Sequence, residues 1–309
     1  MLTIFSIPKP FNGHIGIIQR NAIESWSRLH PACEIILCGN EPGIEEVVTE
    51  FGAKWIPSLA RNEYGTPLLN SAFDQVQQVA SHPLLCYVNA DIILLRDFIE
   101  ALPKIHFRRF LMVGQRWNID ITEPLDFAPI NWDKKLREYV ASHGVLFSPM
   151  GIDFFVFPRD SPLGRLPPFA VGRPGWDNWF IYKTRQLGIP VIDVTRTVTI
   201  VHQNHDYAHV PHRKNKTWEG PEADWNRQLM GCEWWNYLFS IADATHIMTS
   251  RGLQLAWGRE FLQRHWQILP ILFPSTKVLV RLINGMINRL LGIHNLFKLF
   301  SFNKNAFKN

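Results

Sequence analysis

The sequence has few cysteines and no long apolar run, and both shortages exclude classes of protein. Its four cysteines, at positions 33, 38, 86 and 232, include no CxxC pair and no spacing typical of a zinc site. They exclude a disulfide scaffold, so we expect a reducing, cytoplasmic setting. No run of 18 apolar residues occurs, which argues against a membrane-spanning helix. The opening residues MLTIFSIPKPF lack the basic region and long apolar stretch of a signal peptide, and we expect none.

Acidic residues are absent from the C-terminal end of the chain. Residues 261–309 carry seven Lys or Arg and no Asp or Glu, whereas residues 1–260 carry a net charge of −2. The overall charge of +5 therefore describes a basic tail. It gives no support for a nucleic-acid-binding body, and we expect no nucleic-acid partner.

The tail has a helical period. Between residues 276 and 300, polar residues recur every three or four positions and nearly everything between them is apolar; they are Lys277, Arg281, Asn284, Asn288, Gly292, Asn295 and Lys298. The pattern predicts an amphipathic helix with a wide hydrophobic face. Such a helix fits an anionic membrane surface, here the inner face of the membrane, and it also fits docking on the body or on a second subunit.

The first hundred residues alternate between strand and helix patterns. Strands are predicted at 2–7, 34–37, 54–56 and 84–88, and helices at 15–29, 44–51 and 68–80. This rhythm predicts an α/β fold with a mostly parallel central sheet flanked by helices. Further strands at 110–113, 154–157, 190–193 and 198–202, with helices at 132–142 and 178–187, complete the same domain. In such sheets, ligands bind beyond the carboxyl ends of the strands.

Asp91 stands between two apolar runs in the segment YVNADIIL, residues 87–94. A carboxylate in such a place costs several kcal/mol unless it is paired or binds a cation. Asp91 is therefore a candidate ligand for a hard divalent ion that bridges phosphates. The alternative is an aspartate that caps a following helix.

Asp177 lies in the segment GRPGWDNWF, residues 172–180, at the start of a predicted helix. The helix dipole favours a charged aspartate there, and an ionised carboxylate can act as a general base toward a hydroxyl group. The flanking Trp176 and Trp179 favour a sugar site, because apolar sugar faces stack on indole rings. The alternative is a helix cap with tryptophans that pack in the core.

His202 directly follows a β-branched run in VTIVHQNHDYAH, residues 198–209, so we expect it at a strand end. No HExxH motif or cysteine pair supports a zinc enzyme. The simpler interpretation is that His202 binds Mn²⁺ or Mg²⁺ together with Asp91. His205 is a further candidate ligand, whereas His209 and His212 are interpreted as surface residues. Asp153, just before a predicted strand, is either a substrate contact or a turn carboxylate.

These motifs resemble a known family. YVNADIIL resembles the DxD element of nucleotide-diphospho-sugar transferases with the GT-A fold, of the glycosyltransferase family 2 type. TIFSIPKPF before it, and GWDNW and VHQNHDY after it, follow the order of that family's parts over about residues 1–215. One departure is Asn89, which stands where the family has the first Asp of the motif. Asn89 carries no charge, so Asp91 is left as the main acidic ligand.

The resemblance implies a GT-A-like domain over residues 1–260, with a nucleotide-binding half at 1–105 and an acceptor half at 106–260, followed by the tail at 261–309. It implies a hexosyltransferase of polysaccharide biosynthesis that uses Mn²⁺ or Mg²⁺, a nucleotide-diphospho-sugar donor and a glycan or lipid-linked acceptor. Asp177 would be the base of an inverting reaction, while a retaining route stays open if Asp177 only binds the acceptor.

The resemblance also assigns residues to three parts of the site. The donor site would contain Ile7, Pro8, Lys9, Arg20, Gly65, Asn70, Asn89, Ala90, Asp91, Gln115 and Arg116. The acceptor site would contain Asp153, Trp176 and Asn178, and the metal ligands would be Asp91, His202 and His205.

Two other functions stay open. A metal-dependent sugar nucleotidyltransferase shares the sheet and the metal-binding Asp, although PKPF at residues 8–11 is a poor version of its glycine-rich phosphate loop. A non-catalytic sugar-binding protein on the same fold is favoured by Asn89.

Overall fold

A computed structural model describes residues 2–29, 33–205, 219–231 and 233–291. In these ranges the strands are β1 (Leu2–Ser6), β2 (Glu34–Cys38), β3 (Lys54–Ile56), β4 (Leu84–Val88), β5 (Ile92–Leu94), β6 (Leu111–Val113), β7 (Arg116–Ile119), β8 (Val145–Leu146), β9 (Phe154–Pro158), β10 (Val191–Asp193), β11 (Ile200–Gln203), β12 (His246–Thr249) and β13 (Gly252–Leu255). The α-helices are α1 (Gly13–Ser27), α2 (Ile44–Phe51), α3 (Leu69–Val79), α4 (Arg96–Ala101), α5 (Trp132–His143), α6 (Trp176–Gln186), α7 (Pro221–Met230), α8 (Arg259–Leu272) and α9 (Lys277–Leu291).

The central sheet has the strand order β13-β12-β10-β6-β9-β4-β1-β2-β3. All of these strands except β9 and β13 run in the same direction. Neighbouring residues of β1 face opposite sides of the sheet: Phe5 packs with residues of α3 and α6, and Ile4 packs with residues of α1 and α2. Because both faces are covered, all of β1 is buried. The predicted α/β fold with a mostly parallel sheet is confirmed.

A second sheet lies beside the first, with the order β5-β11-β7-β8. Its own apolar cluster includes Ile93, Val201 and residues of α5. The predicted strand near 198–202 is β11, but β5, β7 and β8 are absent from the prediction. They are two to four residues long, and such short strands leave no period in a sequence. Because a strand follows Asp91, the alternative that Asp91 caps a helix is wrong.

The start of the tail packs against the body. Helix α8 buries Ile268 and Leu272 in the same core as Phe5, and Arg264 donates to both carboxylate oxygens of Asp243, at 2.6 and 3.0 Å. The predicted tail helix exists as α9 as far as Leu291; residues 292–300 of that prediction lie outside the described residues. So do His209, His212 and Cys232.

In the described part of the chain, no helix is by itself long and apolar enough to cross a membrane. Among the described residues, one pair of segments is long and apolar enough when taken together: α8 and residues 274–286. The two segments are bent by 109° relative to each other.

The aromatic cluster around Phe73 supports the central sheet, and its removal tests the fold. Phe73 is fully buried, with ring centres of Phe5, Phe157 and Tyr87 within 5.8 Å. We expect Phe73→Ala to lower the free energy of unfolding by about 3–5 kcal/mol, because it leaves a cavity among these rings. Val79→Ala on the exposed side of the same helix should cost less than about 1 kcal/mol. Equal losses in urea titrations of the two variants would contradict this packing.

Candidate active site

A cavity of about 480 Å³ opens at the carboxyl ends of β1 and β4. Twelve of the seventeen predicted site residues line it: Ile7, Pro8, Lys9, Asn89, Ala90, Asp91, Arg116, Asp153, Trp176, Asp177, His202 and His205. The position agrees with the rule that ligands bind beyond the carboxyl ends of parallel strands.

The loop after β1 is fixed by a side chain of α1. Gln19 accepts a hydrogen bond from the backbone N–H of Lys9 at 2.7 Å and donates to the Lys9 carbonyl at 2.9 Å. Gln19 is buried, and it also lines the cavity. The loop that forms one wall of the cavity is therefore held by both polar groups of a single amide side chain.

Asp91, His202 and His205 form a cluster of potential metal ligands. Strand β11 pairs antiparallel with β5, and His202 lies opposite Ile92, the residue after Asp91. This register places Oδ2 of Asp91 3.0 Å from Nε2 of His205 and 3.9 Å from Nε2 of His202. One ligand atom from each residue lies within 4.8 Å of the other two. The predicted ligand set is therefore brought together.

The electrostatics of this cluster suit a cation. Burial opposes ionisation of Asp91, but the His205 hydrogen bond and nearby positive charges hold the pKa of Asp91 well below its usual range. Burial lowers the pKa of His202, which keeps its imidazole in the neutral, metal-ligating form. Oδ1 of Asp91 and Nδ1 of His202 are buried without a hydrogen-bond partner among the described residues. An unpartnered carboxylate oxygen beside two imidazoles fits a divalent ion.

Asn89 and Arg116 both bind Asp153. Because β9 runs antiparallel to β4, Asp153 at its start lies beside Asn89 at the end of β4. Asn89 Nδ2 donates to Oδ1 of Asp153 at 2.8 Å, and Arg116 Nη1 lies 2.7 Å from each Asp153 oxygen. An aspartate at position 89 would repel Asp153. The departure from the DxD pattern thus has a local physical reason, and the amide of Asn89 is used for structure.

Asp177 is the second residue of α6, as predicted, and the helix begins after Gly175. Gly175 has φ of 96°, and a Cβ there would lie 2.7 Å from Sδ of Met230, so glycine suits both the turn and the packing. Burial raises the pKa of Asp177 to about 7; backbone N–H groups at the helix start oppose the shift, and the charge of Asp153 adds to it. The expectation that the helix dipole favours the charged form is therefore outweighed by burial.

The tryptophans beside Asp177 are mainly core residues. Trp176 lines the cavity but is only 6% exposed, with its ring packed edge-on against Tyr87 at 5.2 Å. Trp179 packs against Phe169. Little indole surface is left for stacking on a sugar.

Five predicted residues do not line the cavity. Arg20 pairs with Glu46 and Glu50 of α2, and the Asn178 amide donates to the carbonyls of Met150 and Phe239. The Gln115 amide donates to the carbonyl of Phe147. Gly65 and Asn70 also lie outside, although Thr66 and Pro67 between them line the cavity.

Sequence reasoning missed three residues that matter to this cavity: Gln19, Arg173 and Glu222. Arg173 lies in the same segment as Asp177, GRPGWDNWF, where the glycines and tryptophans are the stronger signal. Gln19 and Glu222 lie on amphipathic helices, where a polar residue carries no signal of its own.

Comparisons with known proteins give structural similarity only. No family model matches the chain, and no curated protein matches it. The structure is similar to GalNAc-T7 with UDP, GalNAc and Mn²⁺, at 16% identity and a TM-score of 0.49, over 76% of this chain and 49% of that one. The chain thus spans about half the length of GalNAc-T7.

Two other similar structures come from microorganisms. S. aureus TarS 1–349 in complex with UDP-GlcNAc is 11% identical with a TM-score of 0.46, over 77% of this chain and 72% of that one. The mannosyltransferase PcManGT from Pyrobaculum calidifontis, in complex with GDP-Man and Mn²⁺, is 14% identical with a TM-score of 0.43, over 67% of this chain and 58% of that one. All three TM-scores are below 0.5.

The cluster of Asp91, His202 and His205 leads to a prediction about metal binding. Asp91→Asn removes the only carboxylate of the three ligands, so we expect the Kd for Mn²⁺ to rise by more than about tenfold. Free Mn²⁺ measured by EPR during a titration gives this constant. Asp74→Asn, an exposed position on α3, is the matched control and should bind like the wild type. Equal affinity in the two variants would rule out Asp91 as a ligand.

Proposed function

We propose that the protein is a glycosyltransferase that moves a sugar from a nucleotide-diphospho-sugar to a hydroxyl group of an acceptor. One observation carries the proposal. A single cavity contains both a cluster of metal-ligating groups and a separate carboxyl, Asp177, whose pKa of about 7 suits proton transfer near neutral pH. An inverting sugar transfer from a diphosphate uses positive charge at the leaving group and a base for the attacking hydroxyl, and this cavity has candidates for both.

Asp91, His202 and His205 would hold the divalent ion, which supplies positive charge to the diphosphate as it leaves. Two imidazoles among the three ligands favour Mn²⁺ over Mg²⁺, because Mg²⁺ prefers oxygen ligands. Ile7, Pro8 and Lys9 form the wall beside β1 and would contact the nucleotide. Asn89 contributes by holding Asp153 rather than by binding the ion.

Asp177 would accept the proton of the acceptor hydroxyl as that oxygen attacks the sugar. Its position at the start of α6 fixes its backbone, and the packing of Trp176 on Tyr87 fixes the helix against β4. A base that activates the incoming hydroxyl directly implies inversion at the anomeric carbon. Arg116 and Asp153 line the same cavity, and we assign Asp153 to the acceptor side.

The acceptor that we propose is a glycan or a lipid-linked sugar of polysaccharide biosynthesis, reached at the inner face of a membrane. Helix α9 supports this location. Its residues Val278, Leu279, Leu282 and Met286 are 57–67% exposed, while Lys277 and Arg281 lie among them. Exposed apolar residues interleaved with cations are typical of helices that lie on anionic lipid.

Release of nucleoside diphosphate from a panel of nucleotide sugars, with Mn²⁺ and simple sugar acceptors, tests the proposal directly. Binding without turnover would support a sugar-binding protein instead. Release of pyrophosphate from a nucleoside triphosphate and a sugar phosphate would support a nucleotidyltransferase.

The role of Asp177 predicts both a rate and a pH dependence. Only the ionised carboxylate accepts a proton, so kcat should rise as the pH increases toward about 7 and level off above it. Asp177→Asn should lower kcat by about 100- to 10,000-fold and leave the Kd of the donor unchanged. Steady-state kinetics and donor titrations measure these quantities. Wild-type kcat in the Asn variant would eliminate Asp177 as the base.

The membrane assignment predicts an effect of removing α9. Without residues 277–309, the protein should no longer sediment with vesicles that contain phosphatidylglycerol, because the basic apolar helix is gone. Turnover of soluble acceptors should persist, since the deletion spares the cavity and the buried part of α8. Vesicles of phosphatidylcholine alone are the control. Undiminished binding to the anionic vesicles would show that another surface is responsible.

A further inference from the structure

Arg173 lines the cavity, and its side chain is held by Glu222, which is not one of the lining residues. It lies in the loop that leads into α6, four residues before Asp177. Its Nε and Nη2 both donate to Oε2 of Glu222, with Nε at 2.9 Å. Glu222 is the second residue of α7, and its other oxygen accepts a hydrogen bond from Nδ2 of Asn62 at 2.8 Å. Three separate segments of the chain therefore meet at this carboxylate.

The pair is charged and largely shielded from solvent. The side chains of Arg173 and Glu222 are 20% and 12% exposed. Burial opposes ionisation of Glu222, but hydrogen bonds from Asn62, Thr66 and Arg173 lower its pKa below the usual value. Glu222 is thus a fixed anion, and it holds the Arg173 guanidinium in one orientation.

This arrangement leaves one edge of the guanidinium available. An arginine has five N–H donors, and Glu222 takes only those on the Nε side. Among the described residues, Nη1 of Arg173 makes no hydrogen bond. Arg116 lines the same cavity, but its Nη1 is engaged by both oxygens of Asp153. The Nη1–Nη2 edge of a guanidinium matches the two oxygens of a phosphate or carboxylate.

We propose that Arg173 binds an oxyanion of a substrate in the cavity and that Glu222 is the positioning residue that orients it. The identity of the substrate rests on the proposed function, in which a phosphate group is supplied either by the diphosphate of the donor or by the acceptor. A pre-oriented guanidinium binds such a group with little loss of side-chain freedom.

The test uses the full chain and two titrations by calorimetry. In the first, UDP and GDP are each added with Mn²⁺; in the second, inorganic phosphate is added to the protein with and without these nucleotides. If Arg173→Gln weakens nucleotide binding by about tenfold or more, the oxyanion belongs to the donor. If nucleotide binding is unchanged and phosphate binding is lost, the oxyanion belongs to the acceptor.

Further variants separate binding from folding. Arg173→Lys keeps the charge without the planar fork and should give intermediate affinity. Glu222→Ala should weaken binding, whereas Glu222→Gln should restore most of it, because the amide oxygen still accepts from Arg173. Arg227→Gln, which breaks the pair between Arg227 and the exposed Asp224 on the same helix, is the matched control. Thermal melting identifies any variant that fails to fold.

Two results would overturn the proposal. One is a folded Arg173→Gln variant with wild-type affinity in both titrations; the other is a wild-type protein that binds neither the nucleotides nor phosphate. If the wild type binds no nucleotide but its phosphate binding depends on Arg173, then the proposed glycosyltransferase function fails while the assignment of Arg173 stands.

Discussion

The antiparallel pairing of β5 with β11 is the constraint on which the site depends. Asp91 and His205 are 114 residues apart in the chain, and this pairing places them 3.0 Å apart. Backbone hydrogen bonds fix the register, so a slip of one residue would turn His202 to the other face of the strand. Trp26 ties β5 to α1, because its buried indole donates to the carbonyl of Ile92. The ligand cluster is therefore built on rigid strands and not on loops alone.

The surroundings of two carboxyl groups in one cavity shift their pKa values in opposite directions. Asp91 has His205 as a hydrogen-bond donor and a lowered pKa, whereas desolvation of the half-buried Asp177, with a smaller contribution from the charge of Asp153, raises its pKa. In the proposed mechanism, this division would let one site provide both a charged ligand and a proton acceptor near neutral pH. The neutral amide of Asn89 binds Asp153 without adding another negative charge to the cavity.

Much of the central sheet could be predicted from the sequence, because fully buried parallel strands are continuous apolar runs and the helices between them are amphipathic. Asp91, Asp177 and His202 could also be predicted as site residues, because each one interrupts or ends a strand or helix pattern in the sequence. The contacts of Arg173 with Glu222, and of Asn89 with Asp153, could not be found this way. They join segments 49 and 64 residues apart, and no local period records such a contact. The raised pKa of Asp177 could not be predicted from the sequence either, since it depends on burial by distant parts of the chain.

The central claim is that Asp91, His202 and His205 hold a cation that contacts the diphosphate of a nucleotide. Pulsed EPR of the Mn²⁺-loaded protein tests it most directly, because nuclei of atoms close to the metal give resolved hyperfine couplings. The account predicts couplings to histidine nitrogen that change on ¹⁵N-labelling of histidine, and a ³¹P coupling that emerges when UDP or GDP is added. Bound Mn²⁺ without any nitrogen coupling, or a nucleotide that binds without a ³¹P coupling, would contradict it.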